Sequence, residues 1–285
     1  MPVLTADTRG ILNPHEGATH FTLTRHAPSP EIADRVERHW IVTWDLRGRS
    51  PYTQDVLPHP CVNLVFEGGE RGGAGRAERG GTGRPSRGRV YGLVRTTFSR
   101  RLEGTGMAVG TKFRPGAFAA YVDVPMTRLV GRSLALTEAF GPHATRLERD
   151  VSKAGDVDDQ VAAVERFIAD RAPGPDPGFE LVSAVIADML IAPPGMKVDE
   201  LAARHGLSAR TLQRLFRRYV GLGPKWVLQR YRLHEAAERM AAGEADDLTR
   251  LALDLGYFDL AHFTGHFRKA VGRSPAAFMR ACAAA

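Results

Sequence analysis

The stretch LAARHGLSARTLQRLFRRYVGLGP, residues 201–224, returns in altered form as LALDLGYFDLAHFTGHFRKAVGRSP, residues 251–275. The Leu-Ala pairs are offset by 50 residues (251 against 201) and the prolines by 51 (275 against 224), so the second turn is one residue longer. Each copy predicts a short helix, a turn at a glycine, a Ser or Asp N-cap and a second helix that ends at glycine. This is a helix-turn-helix pattern written twice.

The second helix of the first copy has one apolar face and one basic face. Leucine and aromatic residues recur at helical spacing, at Leu212, Leu215, Phe216 and Tyr219. The opposite face carries Arg210, Gln213, Arg214 and Arg217, and residues 208–220 contain no acid. Arginine and glutamine are side chains that hydrogen-bond guanine and adenine edges in the major groove. The pattern therefore predicts a DNA-reading helix.

The segment between the copies predicts one connecting helix. Residues 225–242 contain no internal Gly or Pro, and such a helix spans roughly 27 Å at about 1.5 Å per residue. With its turns, it would place the reading helices 209–220 and 260–271 about one duplex turn apart, roughly 34 Å.

The C-terminal segment 198–280 resembles the AraC/XylS-type transcriptional regulators. The resemblance rests on Arg232-Leu233, Ala236, Leu248, Leu251-Ala252, Leu255-Gly256-Tyr257, Asp259, His262-Phe263, Phe267-Arg268-Lys269, Gly272-Arg273-Ser274-Pro275, Phe278 and Arg280. It implies two helix-turn-helix units on one monomer that read successive major grooves of double-stranded promoter DNA. One departure is Gly265, where the family commonly has an arginine and the first copy has Arg214. Since a helical glycine costs about 1 kcal/mol and offers no side chain, we expect the first copy to carry more of the sequence specificity.

The expected DNA contacts divide into two sets. Base edges would be read by Arg210, Gln213, Arg214, Ala261, His262 and His266. Phosphates would be contacted by residues at helix ends and turns, which set the register on the duplex: Ser208, Arg217, Lys225, Arg268, Lys269 and Arg273.

Charge and composition fit a nucleic-acid partner. Residues 196–285 hold 15 Lys+Arg and 9 Asp+Glu, a net of +6, whereas the remaining 195 residues hold 24 and 23. A concentrated basic segment is typical of a protein that binds a polyanion. The two distant cysteines, Cys61 and Cys282, form no disulfide framework, and the N-terminus has no signal pattern. We therefore expect a cytoplasmic protein without a membrane span.

The fold class is predicted to be α+β. Alternating apolar residues predict short strands at 39–46, 61–66, 89–94, 96–102 and 107–114, which suggests a small barrel or sandwich. Residues 30–38 read as a short helix that begins at a proline, and periodic segments 157–171 and 179–191 flank a Pro/Gly-rich corner at 172–178. The predicted domains are a β-rich effector-sensing or dimerisation domain at 1–130, a helical connector at 131–195, and an all-α DNA-binding domain at 196–285.

Residues 67–89 interrupt the β-rich part. Nine glycines and six arginines fill this stretch, which predicts a mobile loop without a core. An auxiliary phosphate-binding arm is the alternative, although three glutamates weaken it. Around this loop, the motifs 38–40, 57–60, 62–66 and 112–117 are similar to a β-rich domain found ahead of such C-terminal halves, which implies an effector-sensing or dimerising role.

Other candidate sites have simpler explanations. His262 and His266 have a spacing that can hold zinc, but no third ligand is nearby in the sequence; both are expected on the outward face of their helix. Cys61 beside His59 is expected to be a buried hydrophobe rather than part of a metal or redox site. The off-face arginines are read as ordinary solvated charges: Arg204, Arg230 and Arg239.

These patterns predict a sequence-specific transcriptional regulator with no catalytic, cofactor or metal site. No phosphate loop, dinucleotide fingerprint or nucleophile elbow occurs in the sequence. Candidate partners are promoter DNA, a small-molecule effector at the N-terminal domain, RNA polymerase and a second copy of the chain. The alternatives are an enzymatic or small-molecule-binding β domain with DNA binding secondary, and an architectural DNA binder without sequence preference.

Overall fold

The protein is described from a computed structural model that places residues 9–69 and 87–283. Within these residues, the strands are β1 (Thr22–His26), β2 (Val36–Asp45), β3 (Tyr52–Val56), β4 (Asn63–Gly69), β5 (Arg87–Tyr91), β6 (Phe98–Leu102), β7 (Thr105–Phe113) and β8 (Ser133–Ala135). The α-helices before the repeat are α1 (Pro14–Ala18), α2 (Leu136–Phe140), α3 (His143–Lys153), α4 (Val157–Ala169) and α5 (Pro177–Leu190). The repeat forms α6 (Val198–Arg204), α7 (Ala209–Tyr219), α8 (Pro224–Ala241), α9 (Leu248–Asp254), α10 (Leu260–Val271) and α11 (Pro275–Ala283). The predicted α+β class is confirmed.

Two antiparallel sheets form the N-terminal domain. The larger has the order β1-β2-β7-β4-β5-β8, and the smaller pairs β3 with β6. Alternate residues of each strand point to opposite sides. One side of β2, carrying Trp40 and Trp44, lines a cavity under the small sheet. On the other side, Ile41 packs with Val109 of β7 and Val161 of α4.

The predicted helix at 30–38 is wrong. Only Pro30–Ile32 is helical, as a single 3-10 turn, and β2 begins at Val36. Ile32 and Val36 are both buried in the main core, so tertiary burial and strand pairing override the local helical pattern. The predicted loop at 67–89 falls mostly on residues 70–86, which lie outside the described residues. Its ends are strand residues, because β4 runs to Gly69 and β5 starts at Arg87.

One hydrophobic core joins the β-rich domain to the first helix-turn-helix unit. It includes Phe113 and Phe118 from the N-terminal domain, Val182 and Val185 from α5, and Phe216 from α7. Helix α5 therefore packs between the β-rich domain and the first helix-turn-helix unit. The corner before α5 and the predicted connecting helix at 225–242 are also present, the latter as α8. No helix among residues 9–69 and 87–283 is long and apolar enough to cross a membrane.

The second unit has its own core, which also touches the N-terminal domain. Phe263 and Phe267 of α10 pack in a cluster that includes Leu12 and Leu57. The Thr97 hydroxyl donates to the Ala270 carbonyl oxygen at 3.0 Å. Both units are thus packed against the β-rich domain, so their positions depend on it.

Candidate nucleic-acid interface

Helix α7 is capped and amphipathic as the sequence predicts. The Ser208 hydroxyl accepts from the Thr211 amide at 3.2 Å, which satisfies an otherwise open N–H at the helix start. Leu212 and Phe216 are fully buried. The other face is exposed at every predicted contact residue, namely Arg210, Gln213, Arg214 and Arg217. These four side chains make no ion pair with a described residue, so their hydrogen-bonding groups are available to a polyanion.

The last turn of α7 is held by a contact that the sequence did not suggest. The Tyr219 hydroxyl donates to Asp176 Oδ1 at 2.7 Å. The same carboxylate caps α5 by accepting from the Gly178 and Phe179 amides. The Asp-Pro-Gly order at 176–178 is a sequence signal for this cap. The contact between Asp176 and Tyr219 at the end of α7 could not be predicted from the sequence, because the two residues are brought together only in the folded chain.

Helix α10 begins in the same way but presents a different face. The Asp259 carboxylate accepts from the His262 amide at 2.7 Å. Ala261, His262 and Gly265 are exposed, while Phe263 and Phe267 are fully buried. Among the predicted base-reading positions, α10 therefore offers one well-exposed polar side chain, His262, where α7 offers three, Arg210, Gln213 and Arg214.

His266 does not lie on the open face, contrary to the expectation for both histidines. Its Nδ1 lies 2.7 Å from the Tyr257 hydroxyl, and the ring is half-buried. Burial, followed by the nearby charge of His262, lowers the pKa of His266 to about 4. The ring is therefore neutral near pH 7. A neutral imidazole that accepts at Nδ1 carries its proton on Nε2, which can only donate.

The predicted phosphate contacts are unevenly placed. Lys225, Arg268 and Lys269 are exposed. Arg273 is partly buried, with its guanidinium 5.5 Å from the centroid of the Phe278 ring. The exposed hydroxyl of Ser208 already serves the cap described above.

Arg230 is not a solvated charge, which corrects the sequence interpretation. It is 2% exposed and stacks on Trp226, with the guanidinium 4.7 Å from the ring centroid. Nη2 donates to the Arg95 carbonyl oxygen in the N-terminal domain. Burial lowers the pKa of Arg230 to about 10. Arg239 contacts Asp254 at 3.0 Å, and Arg204 is exposed.

The candidate metal sites gain no further ligand. Within the described ranges, no group of three or more His, Cys, Asp or Glu side chains is placed to hold a metal ion. Cys61 is buried as expected, and burial raises the pKa of its thiol to about 11. His59 instead stacks on His234 of α8, with ring centroids 3.8 Å apart.

Comparison with known proteins agrees with this geometry at the C-terminal end. A family model described as a helix-turn-helix domain matches residues 201–281. The HTH-type transcriptional activator RhaS of Pectobacterium carotovorum is 39% identical over 75 residues, which cover 26% of each chain. The XylDLEGF operon transcriptional activator of Pseudomonas putida is 28% identical over 109 residues, 38% of this chain and 33% of that protein. The C-terminal region is an AraC-type helix-turn-helix domain. The segment of this chain that matches RhaS covers about a quarter of the length of RhaS.

The other matches concern the N-terminal domain and the overall arrangement. Residues 24–135 match a domain of unknown function, DUF6597. An AraC-type regulator structure from Chromobacterium violaceum is 25% identical and covers 36% of this chain and 89% of its own, with a TM-score of 0.31. ToxT from Vibrio cholerae covers 92% of this chain and 98% of its own at 9% identity and a TM-score of 0.41.

Gly265 of the AraC-type domain allows a direct test of helix stability. A Cβ added there meets no heavy atom within 4 Å. Gly265→Ala is expected to stabilise the protein by about 1 kcal/mol, since alanine is the better helix former. Urea unfolding measures this change. Gly256→Ala is the matched control and should destabilise, because Gly256 has a φ of +74° and its Cβ would lie 2.2 Å from the Gly195 nitrogen.

Proposed function

We propose that this protein is a sequence-specific DNA-binding transcriptional regulator that inserts α7 and α10 into successive major grooves. The observation that carries the proposal is the exposed face of α7. Four polar or basic side chains project from a capped helix whose other face is buried, and no acid lies among them. A solvated surface helix would mix both signs of charge.

In the proposed complex, the two units divide the task of recognition. Arg210, Gln213 and Arg214 would hydrogen-bond base edges in the first groove. Ala261, His262 and the Nε2 group of His266 would contact the second, more weakly. The exposed basic residues at helix ends would hold the phosphates and fix the register: Arg217, Lys225, Arg268 and Lys269. Ser208 and Arg273 complete the proposed phosphate set.

Binding to the native upstream duplex and to a scrambled duplex, across a salt series, tests the proposal. A preference of about 1000-fold or more that persists as salt rises would support a sequence-specific regulator. Equal affinities that both fall steeply with salt would contradict it and would favour the architectural alternative.

Arg214→Ala tests the base-reading assignment. We expect a loss of about 1–3 kcal/mol on the native duplex, together with relaxed specificity at one or two base pairs. Lys225→Ala is the control, because loss of a phosphate contact should weaken native and scrambled duplexes alike. Both changes are measured by titrating each variant against both duplexes. Equal losses on the two duplexes for Arg214→Ala would show that it contacts only the backbone.

The β-rich domain is proposed to sense a small molecule and to bias the DNA-binding half between competent and incompetent states. Support comes from a cavity of about 240 Å³ between its two sheets. Further support comes from its packing against both units, which gives any change in the domain a direct route to α7 and α10. We also propose that the protein contacts RNA polymerase and a second copy of itself.

A further inference from the structure

Two tryptophans form one side of the cavity in the β-rich domain, and both lie on a strand of small residues. Trp40 of β2 stands opposite Gly110 of β7, where an added Cβ would lie 2.0 Å from Cε2 of the indole. Trp44 stands opposite Gly106, where an added Cβ would lie 2.2 Å from Cζ2. Because these glycines have no side chain, both indoles lie directly against the β7 backbone, on either side of Ala108. Both rings line the cavity.

The polar group of each indole is already bonded within the protein. Trp40 Nε1 donates to Asn63 Oδ1 at 3.1 Å, and Trp44 Nε1 donates to the Glu103 carbonyl oxygen at 3.1 Å. The N–H is the one polar group that an indole has. These bonds hold the two rings in place, and the surface that the rings offer to a molecule in the cavity is apolar and aromatic.

The small sheet forms a second wall of the same character. It contributes Phe98 and Leu102 from β6 and Val56 from β3. Tyr91, which also lines the cavity, meets Phe98 edge-on with the ring centroids 5.8 Å apart. Further apolar side chains complete the lining: Phe21, Leu23, Val42 and Val65. A molecule between the sheets would therefore contact apolar and aromatic atoms from both of them.

The charged residues that line the cavity have polar partners within the chain. Arg100 forms an ion pair with Glu67 at 2.6 Å, and Lys112 forms one with Glu37 at 2.9 Å. Such contacts are made by each charged lining residue, namely Arg9, Arg25, Arg38, Glu67, Arg100 and Lys112. An ionised ligand would lose its hydration among groups that already have partners, which is costly. An uncharged ligand avoids this cost.

The size of the cavity limits the ligand further. An apolar cavity of about 150 Å³ binds benzene, and this one holds about 240 Å³. We infer that the cavity binds a small uncharged aromatic molecule of one or two rings, in contact with the indoles of Trp40 and Trp44. This ligand class deepens the sensing role proposed above and rests on that role for its regulatory meaning.

The cavity wall is continuous with the core of the second helix-turn-helix unit. Leu57 lines the cavity and is buried in the cluster that contains Phe263 of α10. Phe98 directly follows Thr97, whose hydroxyl donates to the Ala270 carbonyl oxygen of α10. A molecule in the cavity would therefore lie against side chains that pack on α10 or adjoin its contacts, which places the ligand beside the DNA-binding half.

Three probes with the same fused six- and five-membered rings test the ligand class. They are 5-indanol, its saturated analogue octahydro-5-indanol, and indane-5-carboxylate. Binding to the full chain is measured by calorimetry at pH 7.5, where the phenol is uncharged and the acid is ionised. We expect 5-indanol to bind about fivefold or more tightly than the saturated analogue, because contacts between aromatic rings add to apolar burial. The carboxylate should bind at least about 100-fold more weakly than 5-indanol.

Each probe can contradict one part of the assignment. A carboxylate that binds as tightly as 5-indanol would overturn the uncharged class. A saturated analogue that binds as tightly would overturn the aromatic class. Failure of 5-indanol to bind up to its solubility limit would overturn both.

Ala108→Leu locates the ligand. The larger apolar side chain fills space between the two indoles and should weaken 5-indanol at least about tenfold. Ala184→Leu, at an exposed position of α5, is the matched control and should bind as the parent does. Urea unfolding checks that both variants are folded. Unchanged affinity in folded Ala108→Leu would place the ligand outside the cavity.

Fluorine NMR of the parent sequence locates the ligand without a substitution. The chain has three tryptophans; Trp40 and Trp44 line the cavity, and Trp226 lies on α8 beside Arg230. In protein labelled with 5-fluorotryptophan, 5-indanol should shift the resonances of Trp40 and Trp44 and leave that of Trp226 in place. A shift of the Trp226 resonance alone would overturn the cavity assignment.

The titration with native and scrambled duplexes, on the same preparations, distinguishes the ligand class from the proposed function. Specific DNA binding without binding of 5-indanol overturns the ligand class and leaves the regulator in place. Binding of 5-indanol without specific DNA binding supports the ligand site and contradicts the proposed function.

Discussion

Alanine at Arg210, Gln213 and Arg214 together is expected to lower affinity for the native duplex about 100-fold or more and to remove most of its advantage over scrambled DNA. Each base contact of this kind contributes about 1–3 kcal/mol of discrimination. The three side chains are exposed and make no hydrogen bond within the described part of the chain. Alanine is also the best helix former, so α7 should stay folded. Titration of both duplexes measures the loss, and urea unfolding checks the fold.

His262→Ala is the comparison from the second unit. It removes the one well-exposed polar side chain of the proposed base-reading set on α10, and we expect a loss of about 1 kcal/mol. A smaller loss of affinity for His262→Ala than for the triple variant is expected because α7 makes more of the base contacts than α10. A loss for His262→Ala as large as that of the triple variant would show that the second groove carries the specificity instead.

The sequence predicts the C-terminal half well because its signals are local. Ser208 and Asp259 cap the helices they precede, and the 3.6-residue period places Phe216 and Phe263 in the cores. These features depend on residues within a few positions of one another. Resemblance to a known family added the expectation that the two units read successive major grooves of promoter DNA.

The errors arose where distant segments meet. Arg230 reads as solvated on its helix, but the loop at Arg95 covers it. His266 reads as outward, but Tyr257 across the turn takes up one ring nitrogen. The pattern at 30–38 reads as helical, but its C-terminal residues form the start of β2 because they pair with β7. Hydrophobic periodicity describes a single helix or strand, so it does not predict which distant segments pack against that element.

The cavity could not be predicted from the sequence either, because its walls come from segments that are distant along the chain. Arg25, Arg38 and Lys112 lie on three different strands, and only the strand register brings them to one end of the cavity. Read singly, each looks like an ordinary strand charge. A cluster of buried cations becomes visible only when sheet order and burial are known.

A loss of stability of about 2 kcal/mol between pH 6.5 and pH 5.0 is expected from His234 alone. This histidine is 5% exposed, stacks on His59 and lies 3.3 Å from the Pro58 carbonyl oxygen through Nε2. Burial lowers its pKa from 6.5 to about 3, and the charges of Arg230 and Lys112 act in the same direction. One pH unit corresponds to about 1.4 kcal/mol for a group protonated only in the unfolded state.

The sign follows from where the proton binds. Well above pH 6.5 the ring is neutral in both states and contributes no pH dependence. As the pH falls below 6.5, the unfolded chain takes up a proton that the buried ring refuses, so the unfolded state gains stability. The loss continues until the pH reaches the folded pKa. His59 adds to the slope, because burial and its neighbour His234 lower its pKa as well.

Urea unfolding of His234→Phe at pH 7.5, 6.5, 5.8 and 5.0 tests this account. Phenylalanine keeps a ring to stack on His59 but cannot titrate, and it gives up the contact with Pro58. The variant should therefore be about 1 kcal/mol less stable at pH 7.5, yet its stability should fall less steeply toward pH 5.0. His143→Gln, at an exposed position of α3, should keep the parent slope. An unchanged slope in His234→Phe would place the acid sensitivity elsewhere. A reduced slope would mean that the contact of His59 and Pro58 with α8 depends on a neutral histidine.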